Sequence, residues 1–144
     1  MNDPIATVLG HKGNDVVTVS PETTVLVAVQ RMNDKKIGAL LVTERYRPVG
    51  IFTERDVLVR VIAAGLEPKV TPVGEVMTRN PLTVRSDVTV GQAMLLITER
   101  RCRHLPVIDG TELRGLISLG DLTSWVVRDQ QRTIDDLHDY VNRA

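Results

Sequence analysis

Hydrophobic residues recur along this chain at two spacings, and each spacing predicts a different element. The segment "TTVLVAVQRMND" places Val25, Ala28, Val29 and Met32 three and four residues apart, which is the spacing of one helix face. The short β-branched runs "VVTV" and "LTV" predict strands. The continuous apolar runs "ALLV" and "HLPVI" predict strands that are covered on both faces.

The same patterns return in the second half of the chain. An offset of 65 residues aligns 17–62 with 82–127 without a gap, and upstream of this range the offset becomes 68. The first copy therefore holds three extra residues, within "GHKGND". The second helix face repeats the first, with Val90, Ala93, Met94 and Ile97. The self-similarity predicts a duplicated unit with the element order β-α-β-β-α.

A unit of roughly 60 residues buries too little surface to be stable alone, so we expect the copies to bury each other's apolar faces. The predicted fold is α+β, a pseudo-twofold pair of small three-stranded sheets packed face to face. We assign the first copy with the start of its linker to 1–70, the second copy to 71–127 and a C-terminal amphipathic helix to 128–144. In that last helix Ile134, Leu137 and Val141 share one face.

Capping residues mark where the helices begin. Thr89 and Gln92 form a predicted capping box, whereas Thr24 has no acidic or amide residue three positions later and is expected to cap alone. The helices after the last strand of each copy are expected over 56–64 and from Asp121 to about Val127. The stretch 65–80, with two prolines, is the expected linker.

Composition excludes several classes of protein. Lys+Arg and Asp+Glu both total 18, so the chain lacks the basic surplus of a nucleic-acid binder, and its four aromatic residues are too few for base stacking. The apolar runs are too short to span a membrane, and the N-terminus does not resemble a signal peptide. With Cys102 as the only cysteine, no internal disulfide forms. We expect a soluble, cytoplasmic protein.

A seven-residue formula occurs once in each copy, as "GIFTERD" from Gly50 and "GLISLGD" from Gly115. Helix capping by the hydroxyl and the acid is the plainer interpretation. The alternative is a ligand site: a helix N-terminus and a hydroxyl suit a phosphate, and an ionised Asp accepts both hydroxyls of a ribose. The leading glycine allows a neighbouring segment or a ligand to approach closely, which capping alone does not require.

These motifs in tandem resemble the cystathionine-β-synthase (CBS) domain pair, or Bateman module, of the small stand-alone bacterial type. "IGALLV" and "GIFTERD" are similar to its first domain; "MTRNPLTV", "ITERRCRHLPVID" and "LRGLISLGDL" are similar to its second. The likeness covers about 5–127. It implies two clefts for adenosyl ligands (AMP, ADP, ATP, NAD or S-adenosylmethionine), no required metal, and association as a disc-shaped homodimer.

The resemblance also implies which residues line the clefts. The ribose-binding acids correspond to Asp56 and Asp121, with Thr53 and Ser118 reaching ribose or phosphate. The remaining nucleotide-binding positions implied by the resemblance are Thr18, Ile37, Gly38 and Ala39 in the first copy, and Thr83, Cys102, Arg103, His104 and Pro106 in the second. Because a cleft in this family borrows from both copies, Asp56 is expected to share a site with Arg103 and His104 as an alternative to Ile37 and Gly38.

The two copies differ at these positions. Arg103 and His104 can hydrogen-bond a phosphate, whereas Gly38 and Ala39 offer only backbone, so we expect inequivalent clefts. Cations are favoured at a helix C-terminus, and we assign Arg100 and Arg101 to that role.

The expected function is a regulatory module that senses an energy metabolite and signals to a separate effector protein, not an enzyme. A ligand-free dimeric scaffold and an enzyme acting on the nucleotide remain the alternatives. A triad of His104, Ser118 and Asp121 lacks the G-x-S-x-G elbow, and Cys102 with His104 lacks a second ligand pair for a metal. Trp125 is expected to pack on the last helix.

Overall fold

The computed structural model describes residues 1–13 and 16–143. In the first copy, strands β1 (Thr18–Val19), β2 (Ala39–Glu44) and β3 (Arg47–Thr53) form the predicted sheet, with β1 parallel to β2 and β2 antiparallel to β3. A fourth strand, β4 (Thr78–Arg79), pairs with the outer edge of β3. The first sheet therefore has four strands in the order β1-β2-β3-β4, one more than predicted, because the expected linker supplies the last one.

The second copy forms an antiparallel pair, β5 (His104–Asp109) and β6 (Glu112–Ser118), and its predicted strand "LTV" is reduced to a single bridge between Val84 and Val107. The reason is Pro106. In the first copy the amide of Leu41 donates to Val17 O at 3.4 Å, but Pro106 occupies the matching position and has no N–H to donate. Only the two bonds of Val84 remain, to Pro106 O and from Ile108 N.

The two predicted amphipathic helices are confirmed as α2 (Val25–Lys35) and α5 (Val90–Arg100), and their predicted faces point into the core. The capping predictions are also confirmed. Thr24 caps α2 with its hydroxyl alone, whereas Thr89 and Gln92 complete a reciprocal capping box on α5.

The helix after the last strand differs between the copies. After β3, α3 (Glu54–Asp56) continues into a π-helical segment (Val57–Ile62). After β6, the single helix α6 (Leu119–Arg143) runs for 25 residues. The prediction that this helix ends near Val127 is wrong: the polar stretch that follows contains no Gly or Pro, and its Arg and Gln residues are good helix formers. The amphipathic segment assigned to 128–144 is therefore the second half of α6 as far as Arg143.

Short helices before each copy are exchanged between the two cores. Helix α1 (Ile5–Lys12) packs into the core of the second copy, and α4 (Val73–Val76) packs into the core of the first. Isolated bridges fix both, from Pro4 to Thr89 and from Pro72 to Thr24. Two residues of the extra "GHKGND" segment, at 14 and 15, lie outside the described part of the chain.

The copies pack as the predicted pseudo-twofold pair, and strand β2 shows why both of its faces are apolar. Leu40 and Val42 point into the first core with Phe52. Leu41, on the opposite face, is also fully buried without belonging to that core, so both faces of the strand are covered. Within the described residues, no helix is both long enough and apolar enough to cross a membrane.

Candidate functional site at two strand-to-helix corners

The first corner joins β3 to α3 and is built from Thr53 and Asp56. The backbone N–H of Thr53 donates to Asp56 Oδ2 at 2.9 Å, and the Thr53 hydroxyl donates to the same oxygen at 3.2 Å. In return, the N–H of Asp56 donates to Thr53 Oγ1 at 3.3 Å. These bonds form a reciprocal capping box, so the capping interpretation of this formula is confirmed.

The second corner joins β6 to α6 and repeats this geometry. The Ser118 N–H donates to Asp121 Oδ2 at 2.8 Å, and the Asp121 N–H donates to Ser118 Oγ at 3.0 Å. The two copies therefore use the same residue types at the same offset to start the same kind of helix.

Capping occupies only part of each carboxylate. In both acids the cap bonds go to Oδ2, and a carboxylate offers about four lone-pair sites on two oxygens. At the first corner, Asp56 Oδ1 lies 3.6 Å from Arg60 Nε. At the second, no hydrogen bond from the described residues reaches Asp121 Oδ1. The cap bonds thus leave Oδ1 of each acid unused.

The leading glycines are explained by the exchanged segments. A side chain at Gly50 would collide with the side chain of Met77 and come 2.8 Å from the carbonyl oxygen of Thr78, and one at Gly115 would come 2.8 Å from Leu9 Cδ2. Each glycine therefore admits the segment that precedes the other copy. Of the two reasons that the sequence left open, close approach of a neighbouring segment is the one observed.

The segments before β2 and β5 lie beside the corner of their own copy. The carbonyl of Gly38 accepts a hydrogen bond from Glu54 N at 3.1 Å, and that of Arg103 accepts one from Leu119 N at 2.9 Å. The helices that precede these segments end in the left-handed conformation at Lys36 and at Arg101, which confirms the helix C-terminal role assigned to Arg101. Arg100 is confirmed in the last turn of α5.

Strand pairing completes each corner. Ala39 lies opposite Thr53, and His104 lies opposite Ser118. The structure therefore gathers one predicted group of residues at each corner: Ile37, Gly38, Ala39, Thr53 and Asp56 at the first, and Cys102, Arg103, His104, Ser118 and Asp121 at the second.

The other predicted site residues lie away from these corner contacts. Thr18 is half-buried on β1, on the side of β2 away from Thr53, and pairs with Leu41. Thr83 is exposed, and Pro106 is buried in the middle of β5. Their place among the nucleotide-binding residues stays a prediction.

Lys12 is a site residue that the sequence analysis missed. From the end of α1, its Nζ donates to Asp121 Oδ2 at 2.7 Å and to the Leu116 carbonyl at 2.8 Å. Burial raises the pKa of Asp121, but the hydrogen bonds from Lys12 and Ser118 outweigh it and hold that pKa below its ordinary value. The signal in the sequence was the three-residue insertion within "GHKGND", the stretch that contains Lys12.

His104 is the titratable group on which the charges of both corners act. Burial lowers its pKa below the ordinary histidine value, and the positive charge of Lys12 lowers it further. The carboxylates of Asp121 and Glu54 oppose that shift. Since Glu54 belongs to the first corner, the two corners are close enough for a charge at one to act on a group at the other.

A cavity of about 460 Å³ opens beside the first corner. It is lined by Ile37, Gly38 and Glu54 together with residues of α2 and of the π-helical segment. A second cavity, of about 410 Å³, lies away from both corners and is lined in part by Glu22, Glu44 and Glu75.

The geometry also bears on the catalytic triad and the metal site that were considered for the second corner. Within the described residues, His104 makes no hydrogen bond to Ser118, and the Ser118 hydroxyl serves as the cap acceptor. Burial raises the pKa of the half-buried Cys102 thiol. The described part of the chain contains no group of three or more His, Cys, Asp and Glu side chains arranged to hold a metal ion. As predicted, Trp125 is a packing residue; its indole N–H donates to Asp3 Oδ2 at 3.0 Å.

Comparison with known proteins gives the same pair of units. The family model described as CBS domain matches residues 12–63 and again 73–128. CBS domain-containing protein CBSX3, mitochondrial, of Arabidopsis thaliana is 37% identical over 125 residues, which cover 83% of this chain and 61% of that protein. This chain spans only 22% of a second relative, CBSCBSPB2 of the same plant, so it covers less than two thirds of these curated relatives.

Solved structures agree with the fold. A protein with CBS domains from Burkholderia ambifaria MC40-6, provisionally described as a signal-transduction protein, is 40% identical to this chain. The two structures match with a TM-score of 0.85 over 89% of this chain and 96% of that one. The hexameric CBS-CP12 protein from bloom-forming cyanobacteria is 34% identical with a TM-score of 0.77, over 85% of this chain and 67% of that one. With both copies matched by the family model and the pseudo-twofold fold in common, this chain belongs to the CBS-domain family.

Proposed function

We propose that the protein is a regulatory module that binds an adenosyl ligand at its two strand-to-helix corners. One observation carries this proposal: at both corners the cap engages Oδ2 of an aspartate and not Oδ1, which lies near Arg60 at the first corner and accepts no hydrogen bond from the described residues at the second. A structural cap needs only the engaged oxygen. The second oxygen, on an acid beside a helix N-terminus, suits the vicinal hydroxyls of a ribose whose phosphate meets the backbone N–H groups.

The charges around the two corners favour different ligands. The second corner brings the Lys12 ammonium and the His104 imidazole to Asp121, with the Arg103 guanidinium on the adjoining segment, and these hydrogen-bond donors, two of them cationic, suit a phosphorylated ligand. The first corner has Arg60 near its acid and an open cavity lined by Ile37 and Gly38. We therefore propose that AMP, ADP or ATP binds more tightly at the second corner, with NAD and S-adenosylmethionine as further candidates.

Regulation follows if the ligand favours one arrangement of the two copies over another, since only a difference in affinity shifts such an equilibrium. We propose that a separate effector protein detects this shift, in the cytoplasm, and that the module self-associates. The signal-transduction designation of the Burkholderia ambifaria protein and the hexameric state of the CBS-CP12 protein support these two points by analogy.

A ligand-free interaction scaffold is the second candidate. The helix after β3 exposes Leu58, Val59 and Ile62, each more than half accessible to solvent. Apolar side chains grouped in this way mark interaction surfaces, and a scaffold would use them without any ligand.

Thermal unfolding with a ligand panel separates these functions. Protein freed of carried-over nucleotide is melted with AMP, ADP, ATP, NAD and S-adenosylmethionine. A ligand that binds only the folded state raises Tm by mass action. We expect one of these ligands to raise Tm selectively. If no ligand raises Tm, the ligand-free scaffold is the remaining function.

The site is then tested with Asp56→Asn and Asp121→Asn. Each keeps a side-chain oxygen for the cap but loses the charged acceptor. Affinity at the altered corner should fall about ten- to a hundred-fold, the usual loss for one ionised hydrogen bond. Unchanged affinity in both variants would show that the two acids act only as helix caps.

A further inference from the structure

Lys12 binds the same oxygen of Asp121 that the helix cap uses. Its Nζ donates to Asp121 Oδ2 at 2.7 Å, and the Ser118 N–H donates to that oxygen at 2.8 Å. A carboxylate oxygen accepts about two hydrogen bonds, so Oδ2 is fully engaged, whereas Oδ1 receives none from the described residues. A ribose that places one hydroxyl on each oxygen of Asp121 must therefore displace Lys12 from Oδ2.

The Lys12 ammonium can leave Oδ2 and stay at the second corner. Its side chain is 39% accessible, and its bond to the Leu116 carbonyl, at 2.8 Å, does not involve Asp121. A lysine has a flexible stem and three N–H donors. Once displaced, the ammonium has an unneutralised charge and a free donor, and only an anionic acceptor replaces the ion pair that it has lost.

The other donors at the second corner do not take this role. His104 lies opposite Ser118, and its lowered pKa keeps the imidazole neutral at pH 7. Arg103 is exposed, and its bond to the corner is made by its backbone carbonyl, which accepts from the Leu119 N–H. Among the described residues, Lys12 is the cation that is hydrogen-bonded to Asp121.

The second corner also has room for an anion. Apart from its chain neighbours and the backbone of its own helix, a side chain built at Gly120 would meet only Ser118 Oγ, at 3.6 Å, among the described atoms within 4 Å. The start of α6 is therefore open on this side.

The first corner lacks this arrangement. Its cation, Arg60, also donates to the carbonyls of Val76 and Met77, at 3.4 and 2.9 Å. The offset of 65 residues aligns Leu119 with Glu54, so the first corner has a carboxylate where the second has an apolar side chain. A carboxylate at that position repels a phosphate.

We propose that Lys12 makes the second corner selective for phosphorylated adenosyl ligands, because it leaves Asp121 for the phosphate when the ribose hydroxyls take both oxygens of that acid. Every adenosyl ligand has to break the ion pair between Lys12 and Asp121, but only a phosphorylated one replaces it. The ion pair therefore selects against an uncharged ligand as well as for a charged one. This inference rests on the ligand binding proposed above for the second corner.

The test compares adenosine with AMP, which differ only in the phosphate. Binding is measured by isothermal titration calorimetry on the full chain with Asp56→Asn, which weakens the first corner so that the second dominates the signal. Adding Lys12→Met should weaken AMP binding at least about tenfold, the loss of one ionised hydrogen bond. The same change should strengthen adenosine binding by up to about fivefold, because a partly exposed ion pair no longer has to be broken.

Two further variants separate charge from structure. Lys12→Arg keeps the positive charge and should keep the preference for AMP. Lys69→Met removes an exposed lysine that forms no ion pair among the described residues, and it should change neither affinity. Thermal unfolding without ligand checks that each variant is folded.

The outcomes distinguish this inference from the proposed function. An equal ratio of AMP to adenosine affinity with and without Lys12→Met would overturn the role of Lys12 and leave the ligand site intact. A protein that S-adenosylmethionine stabilises while AMP does not bind would keep the proposed function and overturn this inference. If no adenosyl ligand binds, both are overturned.

Discussion

Lys12 and Asp121 form an ion pair with 2.7 Å between Nζ and Oδ2, although 109 residues separate them in the chain. The pair joins the exchanged helix α1 to the cap of the second corner. At the first corner the link comes from the opposite side: Arg60, one turn along the same helix as Asp56, lies 3.6 Å from that acid and donates to the carbonyls of Val76, at the end of α4, and of Met77. The duplicated sequence thus produces two corners with the same cap and different sources of positive charge.

Replacement of Lys12 should change the acid stability of the protein. Because the folded-state pKa of Asp121 is lowered, its contribution to stability is present above its unfolded pKa, about 3.9, and is lost as the pH falls through the folded value. Lys12→Met removes the main donor, so the pKa of Asp121 should rise and the loss on acidification should begin at a higher pH. At pH 7 the variant should lose less than about 1 kcal/mol, because the pair is partly exposed.

Chemical denaturation of Lys12→Met between pH 3 and 7 measures this effect, and Lys69→Met is the control because Lys69 is exposed and forms no ion pair among the described residues. Identical pH profiles for the two variants would contradict the role given to Lys12.

His104 should titrate below an ordinary histidine, and Lys12 should be part of the reason. Burial and the nearby ammonium both favour the neutral imidazole, so the NMR titration midpoint should lie below 6.5. Because this folded pKa is lowered, neutral His104 contributes stability above its unfolded pKa, and that contribution is lost as the pH falls toward the folded value. The midpoint should rise in Lys12→Met and stay unchanged in Lys69→Met. A midpoint of 6.5 or higher in the wild-type protein would be incompatible with this environment.

The two leading glycines should differ in how much they tolerate alanine. At Gly50 the new methyl group would meet the carbonyl oxygen of Thr78, which belongs to a paired strand, so Gly50→Ala should cost at least about 2 kcal/mol. At Gly115 the neighbour is the flexible end of Leu9, so the cost should be smaller. Gly10→Ala is the control: it has open space in a helix and should be neutral or stabilising by up to about 1 kcal/mol. Urea unfolding of the three variants checks this order, and equal effects at Gly50 and Gly10 would contradict it.

A cut near Glu67 should leave two halves that fold only together. The first half would keep Ile5, Val8 and Leu9, whose core lies in the second copy, and would lose Val73 and Val76 from its own core. Each half should therefore unfold without a cooperative transition, and an equimolar mixture should regain one. The measurement is thermal circular dichroism of each half and of the mixture. A cooperative transition in either isolated half would show that the exchanged helices are dispensable.

Substitution of the capping acids by alanine should now be expected to lower stability as well as affinity. The ligand-site interpretation of these acids predicts that Asp56→Ala and Asp121→Ala weaken ligand binding. Since both acids close a cap, each alanine variant should also lose about 1 kcal/mol, the typical cost of a lost cap. Denaturation without ligand measures that loss; unchanged stability in both variants would show that the caps contribute little.

The sequence by itself determined the duplication, the element order, the helix faces and the capping residues, because these depend on local spacing and residue type. The offset of 65 residues and the repeated formula were sufficient to predict a pseudo-twofold pair. Local patterns also identified both corner acids. They could not determine how far each acid is engaged by its cap, since that depends on which oxygen the neighbouring N–H groups reach.

The tertiary structure decided which segment belongs to which core. Nothing in the spacing of Ile5 or Val73 indicates that each packs with the other copy, because an apolar side chain can pack against any apolar surface. The contact of Lys12 with Asp121 depends on that exchange and could not be predicted from the sequence for the same reason. Pro106 shows the opposite case. The sequence shows that this position has no N–H to donate, but only the pairing with Val84 revealed that a strand is lost there. Long-range contacts are decided by how the whole chain packs, and only the folded structure contains that information.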